Sequence, residues 1–84
     1  GEEFLILIPD ADLQTAHEVA EKVRAGVEKL QFVNAKSKEK LPKITVSLGV
    51  TEYSQKLGLE GTIQKANAAM RMAKATGRNR VFSD

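Results

Sequence analysis

Apolar residues in this 84-residue chain change their spacing from segment to segment, and that alternation limits the folds open to it. Two segments repeat apolar residues every three to four positions, the spacing of an amphipathic helix. Three other segments are short, and run continuously or alternate with polar residues, as strands do. A chain of this length forms one domain at most. We therefore expect a β-α-β-α-β unit, an α+β fold with its helices packed on a sheet.

The two helices are predicted from their apolar stripes. The first is expected over residues 13–30, with Asp12 as its N-cap, and the second over about residues 62–76, with Gly77 just past its end. The stripes are Leu13, Ala16, Ala20, Val23, Val27 and Leu30 in the first, and Ile63, Ala66, Ala69, Met70 and Ala73 in the second. The many alanines of the second stripe predict close packing against the sheet.

The strands are predicted at residues 4–8, 44–50 and 80–83. The first is continuously apolar, which is typical of burial on both faces. The second alternates apolar and small polar residues, which is typical of a half-buried strand. Residues 34–43 are polar and rich in lysine, and we expect a solvated loop there.

Composition excludes several classes of function. The chain has no cysteine and one histidine, His17, so it has no disulfide framework, thiolate metal site or histidine-rich metal cluster. The lysine-rich loop has no aromatic residue on which bases could stack, so we expect no nucleic-acid partner. No apolar run is long enough to cross a bilayer, and we expect a soluble, cytoplasmic domain without direct membrane contact.

Charge is distributed unevenly along the chain. Residues 1–28 hold seven acidic and two basic side chains, whereas residues 29–84 hold eleven basic and four acidic ones. One interpretation is that these are the solvated faces of two different helices. The other is that metal-binding carboxylates and phosphate-binding cations meet in one site.

Two short segments could carry that chemistry. Glu2 and Glu3 are adjacent carboxylates at a turn before a buried strand, and such oxygen ligands suit a hard divalent cation such as Mg²⁺. Lys74 and Arg78 flank a helix end, where lysine supplies a mobile charge and arginine a bidentate phosphate contact. The alternative is that the glutamates are merely exposed and the cations merely favour a helix C-terminus.

Taken together, four segments resemble the GGDEF family of diguanylate cyclases. They are Gly-Glu-Glu-Phe at residues 1–4, Ile-Thr-Val-Ser-Leu-Gly-Val at 44–50, Ala-Asn-Ala-Ala-Met at 66–70 and Gly-Arg-Asn-Arg-Val at 77–81. The family signature, Gly-Gly-Asp/Glu-Glu-Phe, is matched from its second glycine onward. The resemblance extends over essentially the whole chain.

The resemblance implies an enzyme that condenses two GTP molecules into cyclic di-GMP and releases pyrophosphate, with Mg²⁺ or Mn²⁺ as cofactor. Each of two facing GGDEF domains would hold one GTP, so catalysis implies a homodimer. By similarity Glu2 and Glu3 are the catalytic carboxylates, and Glu2 is the metal ligand. Gly1, Lys74 and Arg78 are by similarity the phosphate-binding residues.

The resemblance also implies an incomplete domain. Residues 1–84 would be the C-terminal part of a single GGDEF domain with a nucleotidyl-cyclase, palm-like fold, whose sheet lacks its first strand. We expect this part alone to be inactive. We also expect it either to self-associate through strand pairing or to rearrange so that the strands at 4–8 and 44–50 meet directly.

Two alternatives stay open. Asn67 and Arg71 stand where the family commonly has aspartate and tyrosine, which is consistent with a divergent or weakly active member. One alternative is a degenerate domain that binds GTP or a protein partner as a regulator, although the intact glutamate pair, Lys74 and Arg78 argue against it. The other is an independent structural domain whose glutamates and arginines are only exposed.

Overall fold

The computed structural model describes residue 6, residues 8–9 and residues 11–84. The elements in this part of the chain are α1 (Leu13–Lys29), β1 (Leu48–Val50), α2 (Gly58–Ala75) and β2 (Val81–Ser83). The α+β class is therefore confirmed, with both predicted helices present. Within the described ranges, no helix is both long enough and apolar enough to cross a bilayer.

Helix α1 begins where the sequence predicts. The side chain of Asp12 caps it, because its Oδ1 accepts a hydrogen bond from the backbone N of Thr15 at 2.8 Å. That bond also lowers the pKa of Asp12 below its ordinary value. A second carboxylate comes from far along the chain, as Glu52 Oε1 accepts from the backbone N of Leu13 at 2.5 Å. Two of the donors that a helix start leaves unpaired are thereby satisfied.

The described sheet has two parallel strands. Leu48 of β1 lies opposite Val81 of β2, and the register continues through Gly49 with Phe82. Each helix contacts both strands, whereas α1 and α2 make no contact with each other, so they lie on opposite faces of the sheet. The helices thus form two outer layers around the strand pair.

Close contact between α2 and β1 produces the most buried positions. Ala69 and Ala73 are 2% and 0% exposed, and no residue larger than alanine reaches that burial among those described. Gly49 of β1 lies directly against the α2 backbone, since a Cβ built on it would stand 2.2 Å from the backbone N of Met70. The predicted close packing of the alanine-rich stripe is therefore confirmed.

Helix α2 begins at Gly58, four residues before the predicted start. Thr62 lies one turn inside the helix and is buried. Its Oγ1 donates to the Gly58 carbonyl at 2.7 Å and accepts from the backbone N of Ser54 at 3.1 Å. Gly58 has a φ of 74°, a left-handed conformation that glycine adopts readily, and it allows the chain to turn into the helix.

The predicted solvated loop at 34–43 is confirmed, since its residues are exposed and belong to no helix or named strand, and it contains a small hairpin. Val33 forms an antiparallel bridge with Lys40. The turn between them is held by Asn34, whose Oδ1 accepts from the backbone N of Lys36 at 2.9 Å and of Ser37 at 3.1 Å. This pattern is an Asx turn inside a small hairpin.

Two strand predictions need correction. In the segment predicted at 44–50, only Leu48–Val50 is a strand, and Ile44 is 52% exposed. In the segment predicted at 4–8, Ile6 and Ile8 belong to no strand and are 62% and 36% exposed, so the burial expected for them is wrong. In the described sheet β1 pairs only with β2, over residues 48–50, so the residues before Leu48 have no place in its ladder. The rest of residues 4–8 lies outside the described residues.

Candidate phosphate-binding site

Lys74 and Arg78, the two cations proposed to bind phosphate, lie at the C-terminal end of α2. Lys74 is in the last turn of the helix, and Arg78 follows two residues after the C-cap Thr76. The backbone N of Arg78 donates to the carbonyl of Ala73 at 3.0 Å, the bond that closes a Schellman-type helix end. Both cations are exposed, so both can reach a ligand in solution.

The turn that carries Arg78 has an unusual backbone. Gly77, Arg78 and Asn79 have successive φ angles of 131°, 62° and 46°. Arg80 folds back over this turn, since its Nε donates to the Arg78 carbonyl at 3.1 Å. The φ of 131° at Gly77 lies in a region that side-chain-bearing residues rarely adopt, so the backbone angle at this position favours glycine.

One face of α1 carries an ion cluster formed by Glu21, Arg24 and Glu28. Arg24 Nε donates to Glu21 Oε1 at 2.9 Å, and Arg24 Nη1 lies 3.6 Å from Glu28 Oε1. The Arg24 side chain is 16% exposed, whereas the two glutamates are nearly half exposed. The hydrogen bond with Arg24 lowers the pKa of Glu21, and the same bond raises the pKa of Arg24.

Asn79 joins this cluster to the turn. Its Oδ1 accepts from Arg24 Nη1 at 3.0 Å, and its Nδ2 donates to Glu28 Oε2. Its backbone N donates to Ser47 Oγ at 3.1 Å, just before β1. The bond from Asn79 lowers the pKa of Glu28. Helix α1 and the segment entering β1 therefore both stabilise the turn that follows α2.

The sequence reasoning missed Arg24, Glu28, Ser47 and Asn79. The spacings of three and four residues between Glu21, Arg24 and Glu28 are those of ion pairs on one helix face, so the cluster itself could have been predicted. The link to Asn79 could not, because it joins residues 51 and 55 positions apart.

The acidic part of the predicted site, Gly1, Glu2 and Glu3, lies outside the described residues, and its roles stay predictions. Two adjacent carboxylates are a donor set that fits a hard divalent cation. Elsewhere in the described chain there is no group of three or more His, Cys, Asp or Glu placed to hold a metal ion. His17 forms a hydrogen bond through Nδ1 with Ser83 Oγ and so joins α1 to β2, a structural contact.

Comparison with known proteins identifies relatives over the whole chain. The family model described as "Diguanylate cyclase, GGDEF domain" matches residues 1–80. Diguanylate cyclase VdcA of Vibrio cholerae is 40% identical over 82 residues, which are 98% of this chain and 24% of that protein. Diguanylate cyclase DgcM of Escherichia coli is 36% identical over 83 residues, which are 99% of this chain and 19% of that protein. The chain thus spans about a quarter or less of the length of these relatives.

Solved structures match as well. The GGDEF domain of DgcB from Caulobacter crescentus, crystallised in complex with c-di-GMP, superposes with a TM-score of 0.85 at 28% identity. The match covers 90% of this chain and 43% of that one. The arrangement of α1, β1, α2 and β2 is therefore found in an experimentally determined domain.

Proposed function

Because the chain belongs to the GGDEF domain family of diguanylate cyclases, we propose that it is the C-terminal part of one GGDEF domain that condenses two GTP molecules into cyclic di-GMP and releases pyrophosphate. In this proposal Lys74 and Arg78 bind the terminal phosphates of GTP. Activity belongs to the whole domain facing a second copy in a homodimer, and the 84 residues alone are inactive.

The observation that carries the proposal is the position of the two cations. Lys74 and Arg78 are exposed at one helix end, and Asn79, the residue after Arg78, is bonded to α1 and to the segment before β1. A triphosphate carries several negative charges, and transfer of a nucleotidyl group develops more on the pyrophosphate that leaves. Cations beside that group lower the barrier, because they neutralise the charge that develops on it.

The carboxylates complete the proposed chemistry. Glu2 would hold Mg²⁺ or Mn²⁺, and the bound ion would supply further neutralisation of phosphate charge. Glu3 would act beside it, either as a second metal ligand or in activating the attacking 3′-hydroxyl. Gly1 would allow the backbone to approach the phosphates closely, as a residue without a Cβ can.

We test the phosphate role by substitution in the full-length protein. We expect Lys74→Ala and Arg78→Ala each to lower kcat/KM for GTP by roughly 10- to 100-fold, since a hydrogen bond to a charged group contributes about 1.5–3 kcal/mol. Both variants should retain the parent melting temperature, because both side chains are exposed. The assay follows cyclic di-GMP formation and pyrophosphate release at several GTP concentrations.

Lys56→Ala is the matched control. Lys56 is also an exposed lysine, but it precedes α2 at the opposite end of an 18-residue helix, roughly 27 Å away. It should leave kcat/KM within about twofold of the parent value, a difference of only about 0.4 kcal/mol. Equal losses in all three variants would mean that general charge, not a phosphate site, matters. Binding of GTP without turnover in the unsubstituted protein would favour the regulatory alternative.

A further inference from the structure

The backbone conformation at Arg78 has to be stabilised by contacts with the rest of the structure. Left-handed backbone is unfavourable for a residue with a Cβ, and arginine tolerates it less well than asparagine does. Here Arg78 and Asn79 both adopt it, with φ angles of 62° and 46°. Such a conformation persists only where the surrounding structure over-determines it.

In the described structure Asn79 makes most of the contacts that stabilise this turn. Arg78 itself is tied through its backbone, by the bonds from its N to Ala73 and from Arg80 to its carbonyl. The Asn79 amide, in contrast, uses both of its ends on α1, accepting from Arg24 and donating to Glu28. An amide carries its acceptor and its donors on separate atoms, so one side chain can meet a cation and a carboxylate that lie at different positions.

We propose that Asn79 is a positioning residue, which fixes the turn so that the Arg78 guanidinium meets the terminal phosphates of GTP. This inference rests on the phosphate role proposed for Arg78. Asn79 itself would not touch the nucleotide. It would act by reducing the number of directions in which the Arg78 side chain leaves the turn, because pre-organised groups lose less entropy on binding.

The test uses Asn79→Gly in the full-length protein, alone and combined with Arg78→Ala. Glycine accepts the φ of 46° and keeps the backbone N–H that donates to Ser47, so the change removes only the side-chain tether. We expect kcat/KM for GTP to fall roughly tenfold, mainly through KM. Because the tether acts through Arg78, adding Asn79→Gly to Arg78→Ala should change kcat/KM by less than about twofold.

Asn34→Gly is the control for a general loss of turn stability. Asn34 also holds a turn with its side-chain oxygen, but in the 33–40 hairpin. It should leave the KM for GTP unchanged in both backgrounds. Melting temperatures of all variants are measured in parallel, so that a loss of fold is recognised as such.

Three outcomes are distinguishable. If Arg78→Ala leaves kcat/KM unchanged, the phosphate role of Arg78 fails and the positioning role fails with it. If Arg78→Ala is impaired and Asn79→Gly lowers kcat/KM equally with and without Arg78, only the positioning role is overturned. If the second change adds nothing to the first, the positioning role is supported.

Asn79→Asp provides a second variant, which does not depend on how the glycine variant folds. Aspartate tolerates left-handed backbone and keeps the acceptor for Arg24, but it replaces the donor to Glu28 with a like charge. We expect the same loss in kcat/KM, again only where Arg78 is present, and a partial recovery at higher salt as the repulsion is screened. An additive loss in the double variant would overturn the positioning role here as well.

Discussion

Gly49→Ala is expected to separate β1 from α2. A Cβ at this position would lie 2.2 Å from the backbone N of Met70 and 2.3 Å from the backbone O of Ala66. Ordinary van der Waals contact begins at 3.4 Å, so the strand and the helix would have to move apart by about 1.2 Å at this point. Both atoms belong to the backbone, and no rotation of a side chain can relieve the overlap.

The free energy lost in this movement depends on which packing contacts between α2 and β1 are loosened. Extra methylene groups in a packed core cost about 1–3 kcal/mol when side chains can adjust. Here the adjustment must move a helix whose Ala69 and Ala73 are 2% and 0% exposed, so the contacts of both alanines would loosen as well. We therefore expect a loss of about 3 kcal/mol or more, which lowers the melting temperature of a domain this small by roughly 12 °C or more.

Urea denaturation followed by circular dichroism measures this loss. Gly26→Ala is the matched control, because a Cβ on Gly26 would meet nothing within 4 Å and the residue lies inside α1. That substitution should stabilise the chain by about 0.5–1 kcal/mol, since alanine is the better helix former. A change of less than about 0.5 kcal/mol for Gly49→Ala, typical of an exposed site, would refute the close approach of β1 and α2.

Two further predictions concern acid and the turn after α2. Asp12, Glu21 and Glu28 have lowered pKa values in the folded chain, so below their ordinary values of 3.8 and 4.5 the unfolded state binds more protons. The free energy of unfolding should therefore fall as the pH drops from neutral through these values. Glu28→Gln should make the urea midpoint fall less steeply with pH. An unchanged dependence of the midpoint on pH would contradict the hydrogen bonding of Glu28. Gly77→Ala should destabilise the chain by about 1 kcal/mol or more, because alanine is strained at a φ of 131°, and a neutral urea midpoint would contradict that backbone angle.

The helices were predictable because their signals are local. The apolar stripe of α1 and its capping residue Asp12 lie within a few residues of each other, and both predictions are confirmed. The start of α2 was predicted four residues late because Gly58 and Gly61 are helix-breaking by propensity. Tertiary contacts decide that case, since buried Thr62 accepts the backbone donor of Ser54 and anchors the helix start.

The strands were harder to predict because pairing is not local. Alternation at residues 44–50 indicates a strand-like pattern, but a residue counts as paired only where another strand lies beside it. In the described sheet β2 has three residues, so β1 has three as well. The bridge inside the loop at 33–40 was not predicted either, because its polar sequence has no apolar alternation and its turn is held by the side chain of Asn34.

The candidate site also has a part that local sequence signals predict and a part that depends on contacts between distant residues. Lys74 and Arg78 were predicted from residue type, helix end and family motif, and the structure places them at one end of α2. The tether through Asn79 depends on the packing of α1 against the sheet, which no motif records. The motif therefore predicts candidate ligand-binding side chains, whereas the contacts that hold the turn beside them are found only in the three-dimensional structure.

The contacts also bear on how the uneven charge distribution of the chain is interpreted. Both ion pairs in the described part of the chain lie within α1, so they do not join the acidic half to the basic half. One link to the basic half passes through the neutral amide of Asn79. Because Arg24 and that amide already engage Glu28, its carboxylate repels an anion beside Arg78 less than a lone glutamate would. The carboxylate of Glu28 on α1 therefore helps to hold the turn after α2, and it is more than part of a solvated helix face.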